Sequence, residues 1–95
     1  MIMDAGLHDM IVDELCNKKS ISALIWLISQ GRELEASYQK RTFFISAHNS
    51  TRRVSIWIDK QEQAFCSMEE LLESADIDGN KIIDIWDDIQ IDTLF

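Results

Sequence analysis

The sequence lacks the residues that usually separate a chain into parts. Among its 95 residues there is no proline and there are only three glycines, so we expect no flexible linker and a single globular domain over residues 1–95. Because 46% of the residues are hydrophobic, the chain can fill one core. This composition excludes a disordered tail.

Long apolar runs are missing as well. The longest wholly apolar segment is Ala23–Ile28, far below the roughly 20 residues that cross a bilayer. No basic region leads into an apolar stretch at the N-terminus, so a secretory signal is not expected. We predict a cytoplasmic protein that makes no membrane contact.

Residues that commonly perform catalysis are few. We expect the two cysteines, Cys16 and Cys66, to be reduced thiols that serve packing and not redox chemistry. The two histidines, His8 and His48, fall on different predicted elements and lack the spacing of a metal site or a nucleophile pair. Without a phosphate loop, nucleophile elbow or Cys-x-x-Cys pair, we expect a non-catalytic protein with no cofactor and no metal.

Helical periodicity predicts two helices at the start of the chain. The first covers about residues 4–18, with Asp4 as its N-cap. Ser20 caps a second helix over residues 21–30. Gly31 ends that helix in a left-handed conformation.

From residue 33 onward the apolar period changes to two, which indicates β-strands. Short turns at 39–40, 49–52 and 60–61 predict three or four antiparallel strands whose apolar residues share one face. The predicted register pairs Leu34 with Ile45, Ala36 with Phe43, Ile45 with Ile56, Ala47 with Val54, and Phe65 with Ile56.

Helical periodicity returns at residue 67. Ser67 and Glu70 form a capping box at the start of a third helix, and a fourth helix is expected after Asp76–Gly79, followed by a short tail over 90–95. The predicted fold is therefore α+β, with two N-terminal helices, a three- to four-stranded antiparallel sheet and two C-terminal helices. The predicted core comprises Ala36, Phe43, Ile45, Val54, Ile56, Ile58, Phe65, Leu72 and Trp86.

All of the net charge lies near the end of the chain. Residues 68–95 hold nine acidic residues against one base, Lys81, and therefore carry the whole net charge of −8. Such a region repels nucleic acid and anionic lipid and attracts a basic protein. The alternative is a solvated helix face that keeps the protein soluble. The candidate partner-binding acids are Glu69, Glu70, Glu73, Asp84, Asp87, Asp88 and Asp92.

Two aromatic residues are predicted on the sheet face that points away from the core. In the register above, Phe44 lies opposite Trp57. Two interpretations remain open. The favoured one is that the apolar helix containing Ala23–Ile28 covers both rings; otherwise they bind a partner, as in a small structural or adaptor subunit.

The segment 76–87 resembles an EF-hand calcium loop. Asp76, Asp78 and Asn80 match loop positions 1, 3 and 5. Lys81 replaces the glycine at position 6, and the shorter Asp87 replaces the glutamate at position 12. We therefore expect Asp78 to cap a helix and the segment not to bind calcium tightly, with a degenerate metal-binding module as the alternative.

Size, acidity, element order and the lack of a catalytic constellation are similar to those of bacterial immunity proteins, including those of contact-dependent growth-inhibition systems. That resemblance is one of class and carries no individual contact residues. It implies a partner that is a toxic enzyme, often a nuclease whose basic groove is blocked by acidic side chains. The predicted function is thus that of an acidic, non-catalytic inhibitor.

Overall fold

The computed structural model describes residues 5–48, 51 and 53–95. The chain begins with two helices, α1 (Ala5–Lys18) and α2 (Ile21–Ser29), as the periodicity predicted. The proposed N-cap Asp4 and most of the turn at 49–52 lie outside the described residues.

Both ends of α2 follow the local rules that predicted them. The Ser20 hydroxyl accepts a hydrogen bond from the backbone N–H of Ala23 at 3.2 Å and so caps the N-terminus. At the other end, Gly31 has a φ of +88°, and the N–H of Arg32 bonds to the carbonyl of Leu27 at 3.0 Å. The left-handed glycine therefore closes the helix.

Four strands follow in three successive antiparallel pairings. They are β1 (Leu34–Tyr38), β2 (Arg41–His48), β3 (Arg53–Ile58) and β4 (Gln61–Phe65). The first two pairings have the predicted register, which places Leu34 opposite Ile45, Ala36 opposite Phe43, Ile45 opposite Ile56, and Ala47 opposite Val54.

The predicted register of the third pairing is wrong by two residues. Phe65 lies opposite Val54 and not opposite Ile56, because the turn uses Asp59 and Lys60 and not residues 60–61. A shift of two keeps each side chain on its predicted face, since side chains alternate with a period of two. Phe65 is only half-buried and packs against the edge of the core.

The C-terminal part contains more strand and less helix than predicted. Its elements are α3 (Met68–Ser74), β5 (Asp76–Ile77), β6 (Asn80–Lys81), α4 (Ile82–Ile85), a 3₁₀ turn (Trp86–Asp88) and β7 (Gln90–Leu94). The predicted fourth helix is thus one α-helical turn followed by a 3₁₀ turn, and the predicted tail is a strand.

The unpredicted β7 completes a five-stranded antiparallel sheet with the order β4-β3-β2-β1-β7. It pairs with β1, and the register shifts between Glu35 and Ala36, where Thr93 and Ile91 are the partners. Asp92 is therefore an extra residue on β7. This bulge interrupts the alternation of apolar residues and hides the strand from a search for a period of two.

Three two-residue turns place both central residues at positive φ. They are Gln39-Lys40, Asp59-Lys60 and Asp78-Gly79. Positive φ at both positions is the geometry of a type I′ hairpin turn, which Asp-Gly favours strongly. The pair Asp78-Gly79 was therefore the available signal for the β5–β6 hairpin, which the calcium-loop interpretation obscured.

The helices pack on one face of the sheet. Side chains of α2 and α3 join Phe43, Ile45 and Ile56 in a single buried core, with α2 against β2 and α3 against β3 and β4. The expectation that α2 covers Phe44 and Trp57 is wrong, because both residues project from the opposite face and Trp57 is 38% exposed. The covered face carries more apolar side chains than the open face. Packing of α2 on the covered face therefore buries more apolar surface.

Two further expectations concern packing and membranes. Cys16 and Cys66 are free thiols, but both are exposed, so the expectation that they serve packing is wrong. No helix in the described part of the chain is long and apolar enough to cross a membrane.

Candidate functional site

Most acidic side chains of the C-terminal region belong to two helical segments that contact each other. Helix α3 carries three of them, and α4 with the following 3₁₀ turn carries three more. All six are exposed, whereas Ile82, Ile85 and Trp86 are buried and Ile83 is exposed. We call this set the acidic helical surface: Glu69, Glu70, Glu73, Asp84, Asp87 and Asp88.

In the part of the chain that the structure describes, no direct ion pair neutralises these carboxylates. The ion pairs found among the described residues link Glu14, Asp59, Asp78 and Glu62 to bases, and none includes a member of the acidic helical surface. Carboxylates on neighbouring elements repel one another. The surface therefore presents concentrated negative charge to solvent.

One carboxylate of this surface also has a structural role. The Ser67 hydroxyl accepts a hydrogen bond from the N–H of Glu70 at 3.1 Å, and the Glu70 carboxylate accepts one from the N–H of Cys66 at 3.1 Å. The capping box is therefore present, although Glu70 bonds one residue earlier than the motif predicts. Glu70 is consequently a poor position for testing a binding role.

Lys19 joins the start of the chain to the acidic region. Its ammonium donates hydrogen bonds to the carbonyls of Trp86, at 2.9 Å, and Ile89, and the Trp86 indole donates back to the Lys19 carbonyl at 2.6 Å. Burial lowers the pKa of Lys19, and attraction to Asp87 and Asp88 opposes that shift. We call this arrangement the Lys19 clasp.

The remaining predicted binding residues lie elsewhere. Asp92 is on β7, at the sheet edge away from the strands that α3 contacts. Phe44 and Trp57 pair across β2 and β3 on the open face of the sheet, and the ring of Phe95 lies 5.8 Å from that of Phe44. The predicted binding residues thus do not form one surface. The acidic helical surface lies on the side of the sheet that the helices cover, and Phe44 and Trp57 lie on the other side.

A polar group beside Trp57 was not predicted. The hydroxyl of Ser55, a fully buried residue, donates a hydrogen bond to the Glu62 carboxylate. Nε2 of His48 lies 3.3 Å from that hydroxyl and 3.7 Å from the carboxylate. Ser55 and Glu62 thus approach the same ring nitrogen of His48, Nε2. In a serine–histidine–acid triad the serine and the acid contact opposite nitrogens of the ring, so this arrangement is not a triad. These residues come together only through the register of β2, β3 and β4.

The segment that resembles a calcium loop forms the β5–β6 hairpin. Asp78 does not cap a helix as expected; Arg41 binds its carboxylate through two hydrogen bonds, at 3.0 and 2.7 Å. Asp76 accepts a bond from the N–H of Gly79 at 3.1 Å. The bound guanidinium lowers the pKa of Asp78. Within the described residues, no three His, Cys, Asp or Glu side chains are grouped to hold a metal ion.

A groove of about 400 Å³ lies between α2, the start of α3 and the ends of β2 and β3. Its walls are mainly apolar, with Ile25, Ile28 and Met68 among the lining residues. The only ionisable side chains among those lining residues are His48 and Glu69. The groove can hold apolar groups.

Comparison with known proteins identifies no relative: no family model matches the chain, no curated protein matches it, and no solved structure matches it. The fold itself defines the class, an antiparallel sheet with helices on one face. Function must therefore be inferred from the acidic helical surface and from the open face of the sheet, which carries Phe44 and Trp57.

Proposed function

We propose that this protein is a non-catalytic inhibitor whose acidic helical surface binds a basic protein and blocks that protein's activity. The observation that carries the proposal is the set of six exposed carboxylates on adjacent elements, none of them in an ion pair with a described residue. A cationic partner supplies the missing counter-charges. This is electrostatic complementarity of the kind that directs protein association.

The charge distribution favours a dedicated binding surface over general solubility. Acidic residues spread over the whole chain would serve solubility equally well, without repulsion at one place. Here residues 68–95 carry the entire net charge of −8. Concentrated charge accelerates association with a basic partner, and this effect weakens as salt rises.

The class-level resemblance to bacterial immunity proteins supports a toxic enzyme as the partner. If that enzyme is a nuclease, its substrate groove is basic, and carboxylates can occupy the positions of phosphates. Binding there excludes the nucleic acid without any chemistry by the inhibitor. A cytoplasmic location, where such a toxin would act, is part of the same proposal.

The test uses a triple variant, Asp84→Asn/Asp87→Asn/Asp88→Asn. Wild-type protein is used to capture a partner from the source organism, and the captured protein is identified, purified and assayed alone and in complex. We expect a basic enzyme whose activity the wild type inhibits. The triple variant should bind roughly tenfold more weakly or worse and show a smaller dependence of Kd on salt.

A matched control variant removes three charges from α1, Asp9→Asn/Asp13→Asn/Glu14→Gln, and should keep wild-type affinity. Equal affinity and equal salt dependence for the wild type and the triple variant would contradict the acidic helical surface as the binding site. A captured partner that keeps full activity in the complex would contradict inhibition.

A further inference from the structure

The open face of the sheet carries a row of four side chains, one on each of four strands. The register places Glu62 beside Trp57, Trp57 beside Phe44, and Phe44 beside Glu35. Because neighbouring strands are about 4.8 Å apart, the two carboxylates are separated by roughly 14 Å with both rings between them. We call these four residues the aromatic row.

The aromatic row is accessible. Trp57 is 38% exposed, Phe44 is half-buried and Glu62 is exposed. The helices pack on the other face, against Phe43, Ile45 and their neighbours. A partner can therefore reach Trp57 directly, whereas the ring of Phe44 is flanked by that of Phe95 at 5.8 Å.

The carboxylate beside Trp57 is held in place. Ser55 is on the same face of β3 as Trp57, and its buried hydroxyl donates a hydrogen bond to Glu62. This bond limits the rotamers of Glu62 and holds its charge at Ser55, the neighbour of Trp57 on this face of β3. A carboxylate positioned in this way loses less conformational entropy when it pairs with a cation.

We propose that the aromatic row binds arginine side chains of a basic partner protein. One guanidinium stacks on Trp57 and pairs with Glu62, and a second stacks on Phe44 and pairs with Glu35. A guanidinium is planar, weakly hydrated and always charged, so it suits an aromatic face bordered by carboxylates better than an ammonium does. The aromatic row and the acidic helical surface lie on different sides of the sheet. The inference therefore holds whether or not the acidic helical surface binds a partner.

Charge also argues against other occupants. Phosphate groups and a second copy of this acidic chain would each bring negative charge towards Glu35 and Glu62. The base that β3 carries on this face, Arg53, lies opposite His48. Arg53 is four residues from Trp57 and thus roughly 13 Å along the strand, so it lies away from the row, whereas Nε2 of His48 lies 3.7 Å from the Glu62 carboxylate at one end of the row.

The test follows the tryptophan indole resonances of ¹⁵N-labelled protein during titration with the peptide acetyl-Gly-Arg-Gly-Arg-Gly-amide. We expect a saturable shift of the Trp57 indole resonance, with no comparable shift for Trp86, whose indole is bonded within the Lys19 clasp. The peptide acetyl-Gly-Gln-Gly-Gln-Gly-amide should produce no saturable shift.

Two variants separate charge from aromatic contact. Glu35→Gln/Glu62→Gln should weaken arginine-peptide binding roughly threefold to fivefold, as expected for the loss of two exposed charge pairings. Trp57→Leu keeps an apolar side chain and should weaken it similarly, followed through backbone amide shifts. The control Asp84→Asn/Asp87→Asn removes the same number of charges from the acidic helical surface and should change binding less than twofold.

Three outcomes would overturn the proposal. One is equal binding of the arginine and glutamine peptides, and another is equal weakening by the control variant. The third is a Trp57 shift that depends on protein concentration without peptide, which would make a second copy the occupant. None of these results bears on the acidic helical surface, whose test uses the Asp84, Asp87 and Asp88 variants with the captured partner.

Discussion

Adjacent residues of β3 show how different the two faces of the sheet are. Ile56 is fully buried under the helices, whereas Trp57 projects from the other side and is 38% exposed. The covered face is enclosed by α2 and α3, and the open face has a row of aromatic and acidic side chains. The period of two along a single strand therefore separates residues that stabilise the fold from residues available for binding.

The largest expected effect is on the covered face. Ile56→Ala leaves a cavity in the core and should lower the free energy of unfolding by about 2–5 kcal/mol, measured by denaturant titration. Ile56→Val is the matched control and should cost only about 0.5–1.5 kcal/mol. An Ile56→Ala protein as stable as wild type would contradict the central place of Ile56 in the core.

The next largest effect is expected at the Lys19 clasp. Lys19→Met removes a charged donor from the carbonyls of Trp86 and Ile89 and should cost about 1.5–3 kcal/mol of unfolding free energy. The neighbouring Lys18, whose side chain is 67% exposed, supplies the control. Lys18→Met should change stability by less than about 0.5 kcal/mol, and equal effects of the two variants would argue against the clasp.

On the open face, Trp57→Thr should cost about 1 kcal/mol in the same denaturant titration, clearly less than Ile56→Ala. Threonine keeps a β-branched side chain in the strand, and the main loss is the cross-strand contact with Phe44. A cost as large as that of Ile56→Ala would show that the two faces contribute equally to stability.

One position of the acidic helical surface, Glu73, should respond in the opposite direction. Glu73 is exposed in the last turn of α3, where negative charge is unfavourable to the helix dipole, so Glu73→Gln should raise stability by about 0.5 kcal/mol at low salt. Glu69 is in the first turn, and Glu69→Gln should lower stability by a similar amount. High salt should diminish both effects in a thermal melt.

The smallest effect is expected at the Arg41–Asp78 pair, because both side chains are exposed. Arg41 lowers the pKa of Asp78 from its usual 3.8, so the pair stabilises the folded state above that pH and loses this contribution as pH falls further. Wild type should therefore exceed Asp78→Asn in stability near neutral pH, and the difference should shrink below about pH 3.8 in an acid titration. A constant difference down to the lowest pH would contradict this role of Arg41.

Much of the central sheet could be predicted from local patterns. Alternating apolar residues and short turns were sufficient for the register of β1, β2 and β3, because an error of one residue would expose a whole apolar face. The β3–β4 register was wrong by two, since no glycine marks Asp59-Lys60 as the turn and a shift of two preserves the apolar face. The Asp92 bulge hid β7 in a similar way.

The candidate sites were predicted less completely, because their residues are distant in sequence. Helical spacing and composition were enough to place three aspartates opposite an apolar stripe, and alternation was enough to place Phe44 and Trp57 on one face. Those inferences need only the backbone periods. Contacts such as Lys19 with Trp86, Arg41 with Asp78, and Ser55 with Glu62 depend on how the chain closes on itself.

The same limit explains the error about α2. A nearly all-apolar helix and an aromatic pair on the sheet both predict burial, but periodicity does not say which face of the sheet a helix covers. Packing against Phe43, Ile45 and Ile56 buries a larger continuous apolar surface, and the hydrophobic effect favours that arrangement. Local patterns were thus enough to orient the side chains of β1, β2, β3 and β4, and long-range packing settled that the helices cover one face and leave the other open.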